Sequence, residues 1–67
     1  MDTQKKAIRL PQVKTMTGLS KSSIYQKVDS GDFPKPFALG ERAIAWVEAE
    51  VQGWITDRIA QRDAKAA

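Results

Sequence analysis

Apolar positions along this chain keep two different rhythms. Val13 and Met16 stand three residues apart and Ile24 and Val28 four apart, spacings that put each pair on one side of an α-helix. In "FPKPFALGERAIAW", residues 33 to 46, the apolar residues alternate with a period of two, the rhythm of a half-buried strand. From Val47 the helical rhythm returns, and Val47, Val51, Trp54, Ile55 and Ile59 form a stripe along one side of a final helix. The pattern predicts a mostly α chain: two short helices, a small β-hairpin and a longer last helix.

The residues between these segments set their ends. Ile8 to Leu10 reads as a short strand or an extended lead-in, and Pro11 suits the first turn of a helix, where its missing N–H has no partner to lose. Gly18 is placed to end that helix in the left-handed conformation, with Leu19 folding back onto it. Ser20 then precedes the next periodic segment and is expected to cap it through its hydroxyl, and Gly31 is expected to close it. Two short helices joined by "TGLS" are the spacing of a helix-turn-helix, a spacing that plain helical hairpins share.

Prolines 34 and 36 exclude a helix and favour extended backbone at Phe33 and Lys35. Gly40-Glu41 reads as a two-residue hairpin loop, with glycine at the position that needs positive φ. That loop would pair Leu39 with Arg42, Phe37 with Ile44 and Lys35 with Trp46. One face would then hold Phe37, Leu39, Ile44 and Trp46 and the other Ala38, Ala43 and Ala45, with Arg42 near the tip. In the last helix Glu48 and Glu50 suit the positive end of the dipole and Arg58 and Arg62 its far end. Trp46 and Trp54 read as core, while Gly53 inside the helix costs about 1 kcal/mol relative to alanine.

Composition narrows what such a fold can do. The 67 residues are enough for one domain with a small core, and the chain has neither cysteine nor histidine. The usual general base and the commonest metal ligands are missing, so neither catalysis nor a cofactor is expected. No apolar run approaches the roughly 20 residues that cross a bilayer, and "MDTQKKAIRLPQV" lacks a signal peptide's apolar stretch, so a cytoplasmic protein is expected. Net charge is +3 and uneven: residues 1–42 hold eight bases against four acids, and the rest three bases against four acids. A polyanionic partner and a plain solvated surface both fit that asymmetry.

With Ile24 and Val28 facing the core at 100° per residue, Ser22, Gln26 and Asp29 point outward, Ser23 and Tyr25 lie at the edges, and Lys21 and Lys27 flank them. Short uncharged hydrogen-bonding side chains suit a major groove. Serine hydroxyls reach bases or phosphates, glutamine pairs with adenine through two hydrogen bonds, lysines neutralise phosphates, and the Tyr25 hydroxyl reaches a phosphate. Asp29 would be repelled there, which confines contacts to the N-terminal turns. The same residues are also ordinary on any exposed helix.

"RLPQVKTMTGLSKSSIYQKVDSGDFPKPFALGERAIAWVEAEVQGWI", residues 9 to 55, resembles the AlpA family of short phage and prophage regulators, relatives of the excisionases and of the MerR-type domain. The pieces "TGLSKSSIY", "GDFPKPFALGERAIAW" and "VQGWI" carry the resemblance. It implies a winged helix-turn-helix of three helices plus a wing, MerR/excisionase-like, bound to double-stranded DNA, with a role in transcription, prophage excision or both. It implies a recognition helix that carries Lys21, Ser22, Ser23, Tyr25 and Gln26, flanked by Lys27, and a wing that carries Lys35, Gly40 and Arg42. Gln26 stands where the family more often has a basic residue, and Val47 and Ala49 stand where it tends toward a basic residue and a serine.

The expected organisation is a flexible arm over residues 1–7, the winged domain over 8–60 and a frayed tail over 61–67. Lys5 and Lys6 belong either to a solvated tail or to an arm that touches phosphate. A monomer in solution is expected, binding repeated or inverted DNA sites side by side and cooperatively. From another class comes the alternative of a protein-interaction module, an adaptor or antirepressor that docks through the last helix and Val47.

Overall fold

Proline, serine and glycine punctuate the helices of this chain. The computed structural model describes residues 5–66, Ala66 by its backbone alone. The elements run β1 (Ala7–Ile8), α1 (Leu10–Thr17), α2 (Lys21–Ser30), β2 (Phe37–Ala38), β3 (Ile44–Val47) and α3 (Glu48–Ala66). Ahead of α1, the Arg9 amide donates to Gln12 Oε1 at 3.0 Å. Arginine has no acceptor to return the bond, so Gln12 supplies this cap alone. Gly18 ends the helix with φ 75°, its amide donating to the Lys14 carbonyl at 2.8 Å.

The corner between α1 and α2 is closed by hydroxyls. Thr17 Oγ1 donates to the Val13 carbonyl at 2.8 Å and accepts the Leu19 amide at 3.2 Å. Ser20 Oγ accepts the Ser23 amide at 3.2 Å, as an N-cap serine should. At the other end Gly31, at φ 83°, donates to the Val28 carbonyl while the Asp32 amide donates to that of Lys27 at 2.8 Å. Those paired bonds stop α2 and satisfy its last carbonyls.

The sheet is antiparallel and three-stranded in the order β1-β3-β2. Ile8 lies opposite Trp46 and Ala7 opposite Val47, so Val47 ends the central strand and the last helix begins one residue later than its apolar stripe implied. The hairpin differs from expectation by one residue. Phe37 pairs with Ala45 and Ala38 with Ile44, and the Leu39 amide donates to the Ala43 carbonyl at 2.7 Å, leaving Gly40, Glu41 and Arg42 as the loop. Gly40 does not take positive φ; among the described residues only Gly18 and Gly31 do. Because side chains alternate along a strand, that slip separates Phe37 and Leu39 from the face of Ile44 and Trp46. Phe37 and Leu39 are 41% and 52% exposed and Ile44 36%, whereas Ala45 and Trp46 are fully buried.

Ile8, Val13, Ile24, Phe33, Trp46 and Val51 form the core, one from each of β1, α1, α2, the loop before β2, β3 and α3. Leu10, Met16, Leu19, Tyr25, Val28, Trp54 and Ile55 pack around it. The stripe on α3 reaches the core only as far as Ile55. Ile59 is 45% exposed, and the helix continues to Ala66 through positions where a tail was expected. Ala7 and Lys6, expected in a flexible arm, lie against β3 and α3: Ala7 pairs with Val47 and the Lys6 carbonyl accepts the Glu48 amide at 2.8 Å. Lys5 is exposed, and residues 1–4 of that arm lie outside the described residues.

Candidate nucleic-acid interface

The geometry of α2 follows from one buried residue. Ile24 is fully buried, and at 100° per residue its burial turns Ser22, Gln26 and Asp29 to solvent, where all three are exposed, while Lys21 flanks that face and is exposed because it opens the helix. Ser23, Tyr25 and Lys27 are half-buried at the edges. The outward face thus starts at the N-terminal turn, where the positive end of the helix dipole and unpaired amides add to the Lys21 charge.

The edge residues carry structural duties as well. The Ser20 hydroxyl donates to Ser23 Oγ at 3.1 Å, so Ser23 belongs to the cap. The Tyr25 ring lies 6.3 Å from that of Trp46, tilted by 55°, and this contact holds the phenol at the rim of the core. Lys27 stands in the last turn, its carbonyl taking the Asp32 amide and the Ser30 hydroxyl. A cation there complements the negative end of the helix dipole, well away from the N-terminal turns.

Lys35, Gly40 and Arg42 are all exposed. Lys35 lies in the connection that leads into β2, and Gly40 and Arg42 are in the three-residue loop at the hairpin tip. The expected contact residues therefore fall into two groups, one on α2 and one along the hairpin. Lys6 approaches Glu48 with Nζ 3.9 Å from Oε2, so part of its charge is directed at the start of α3.

The sequence pattern did not reveal how the connection between the two groups is held. The indole Nε1 of Trp46 donates to the Pro34 carbonyl at 2.9 Å, and that of Trp54 donates to the Asp32 carbonyl. The available signal was chemical: a packed tryptophan needs an acceptor for its N–H, and a stretch with two prolines has carbonyls that its own backbone cannot satisfy.

Two helices set at a tight corner, a third helix and an antiparallel hairpin beside them define a winged helix-turn-helix protein, with α2 as the second helix of the pair and β2–β3 as the hairpin wing. A family model described as "Prophage CP4-57 regulatory protein (AlpA)" matches residues 6–59, and the chain belongs to this AlpA family. It is 42% identical over 60 residues to the uncharacterized protein ORF88 of Enterobacteria phage P4, a match that covers 90% of this chain and 68% of that one. It is 33% identical over 57 residues to the DNA-binding transcriptional activator AlpA of Escherichia coli K12, covering 76% of this chain and 81% of that one.

Proposed function

We propose that this protein is a sequence-specific double-stranded DNA-binding transcription regulator of phage or prophage type. The observation that carries this reading is the face of α2: Lys21, Ser22 and Gln26 are exposed together on the N-terminal turns of a helix whose inner side is fixed by Ile24. In the major groove Gln26 and Ser22 meet base edges, while Lys21, Ser23 and Tyr25 meet phosphates. Lys35 and Arg42 follow the backbone from the wing, where Gly40 lets the hairpin tip approach closely. The E. coli relative named a DNA-binding transcriptional activator supports the same reading.

Titration with duplex DNA at two salt concentrations tests it. Counterion release makes affinity fall steeply with salt, with a log–log slope of about −0.9 per phosphate neutralised. A salt-independent or absent interaction would contradict the proposal. Footprinting over the DNA next to the protein's own gene then separates promoter regulation from assistance to excision. A protein-docking role has its own support in the exposed second half of α3 with Ile59, although Val47 lies within the sheet and is not part of that surface.

A further inference from the structure

The connection from α2 to the wing, "GDFPKP" at residues 31–36, has little means of holding itself. Pro34 and Pro36 have no N–H, so they can donate to no ladder, and the carbonyls of the segment need donors from elsewhere. Both side chains that donate to its interior carbonyls are indoles, from different elements. Trp54 on α3 donates Nε1–H to the Asp32 carbonyl, and Trp46 on β3 donates to the Pro34 carbonyl at 2.9 Å. Between those two carbonyls Phe33 is driven into the core, 4% exposed, with its ring edge-on to Trp54 at 5.0 Å. The Trp54 ring is fixed in turn from its outer side by Arg58, whose guanidinium carbon lies 5.0 Å from the ring centroid.

We infer that Trp54 is a positioning residue for Lys35. Its indole N–H and that of Trp46 clamp the connection on both sides of Phe33, and Lys35 is the next residue after the clamp. On the reading that α2 and the wing bind DNA, on which this inference rests, the clamp fixes how far the Lys35 ammonium stands from the groove-facing side of α2. Trp46 is fully buried and serves the core at the same time. Trp54 is only half-buried, so its hydrogen bond can be removed with less damage to packing.

Trp54→Phe keeps an aromatic ring against Phe33 and Arg58 and deletes the donor. In the free protein, the backbone order parameter of the exposed Lys35 amide should fall on the ps–ns timescale, while amide exchange in the interior of α2 and at the β1–β3 pairs stays unchanged. On DNA, Lys35→Ala should weaken binding to all duplexes by about eightfold at 0.1 M salt and reduce the salt slope by about one, the effect of one phosphate contact. Trp54→Phe should reproduce most of that loss, and the double variant should bind no more weakly than Lys35→Ala alone. If Trp54→Phe fails to fold, a synthetic 67-residue chain with benzothienylalanine at position 54 keeps the bicyclic shape and replaces N–H by sulfur. Multiplying losses in the double variant, or an unchanged order parameter at Lys35, would overturn the inference while leaving DNA binding intact. Failure of the unsubstituted protein to bind duplex DNA would overturn the DNA reading and this role of Trp54 with it.

Discussion

On the proposed DNA-binding reading, single residues divide between those that would position the protein on a polyanion and those that would read its sequence, and substitution separates them. Lys21 and Arg42 are exposed and charged, at the start of α2 and in the hairpin loop. Replacing either with alanine should weaken binding to all duplexes alike and flatten the salt dependence by about one unit, measured by anisotropy over a salt series. Gln26 has no charge to lose. Gln26→Ala should cost about 1 to 3 kcal/mol on the preferred site, almost nothing on random DNA, and leave the salt slope as it was. Uniform weakening by Gln26→Ala would make its side chain a backbone contact. The outward face of α2 was readable at this scale because one buried isoleucine and the helical angle determine which neighbours face out. The engagement of Ser23 with the Ser20 hydroxyl was not readable, since a hydroxyl beside an N-cap bonds locally or outward with equal ease.

At the scale of elements, the helix ends were legible and the hairpin register was not. Gly18, Ser20 and Gly31 each answer a local backbone need, a left-handed residue or an acceptor for a free amide, and such needs are written in neighbouring residues. Register depends on loop length, and "LGERA" accommodates two or three loop residues with the same alternation on either side. What decides it is non-local. Trp46 is held beneath the sheet by Ile8 across β1 and by the Pro34 carbonyl, and no local signal announces either contact. Val47 was misassigned to the helix because strand β3 runs directly into α3, so an apolar residue at the junction satisfies both rhythms.

Two stability predictions belong to these elements. Trp46→Ala, at a fully buried position, should cost about 3 to 5 kcal/mol and unfold a domain this small, as judged by thermal melting. An unchanged melting temperature would contradict the central place given to β3. Gly53 lies inside α3, and a Cβ built there meets no atom within 4 Å. Gly53→Ala should therefore stabilise the free protein by about 1 kcal/mol, a rise of several degrees in melting temperature. A fall would show that the chain itself crowds that position.

The whole molecule is longer than its residue count requires. Its radius of gyration is 13.1 Å, against about 11 Å for a compact chain of this length, because α3 extends past the core with every residue from Thr56 to Lys65 exposed. Among the described residues, the exposed large apolar side chains are divided between the hairpin (Phe37, Leu39, Ile44) and the far part of α3 (Ile59). A stable dimer buries about 800 Å² per partner around an apolar centre, and surfaces so divided favour a monomer in the absence of DNA. Sedimentation at micromolar concentration should show one; a tight dimer would contradict this. Among the described residues no helix is long and apolar enough to cross a membrane.

On the proposed reading, the N-terminal turns of α2 and the hairpin together form the surface that meets DNA. Amide chemical-shift mapping of the whole protein during titration with duplex DNA tests it in one experiment. Shifts should concentrate at Lys21 to Gln26 and at Lys35 and Gly40 to Arg42, and the exposed half of α3 from Thr56 to Lys65 should stay silent. Shifts confined to that half of α3, with α2 unmoved, would contradict the account.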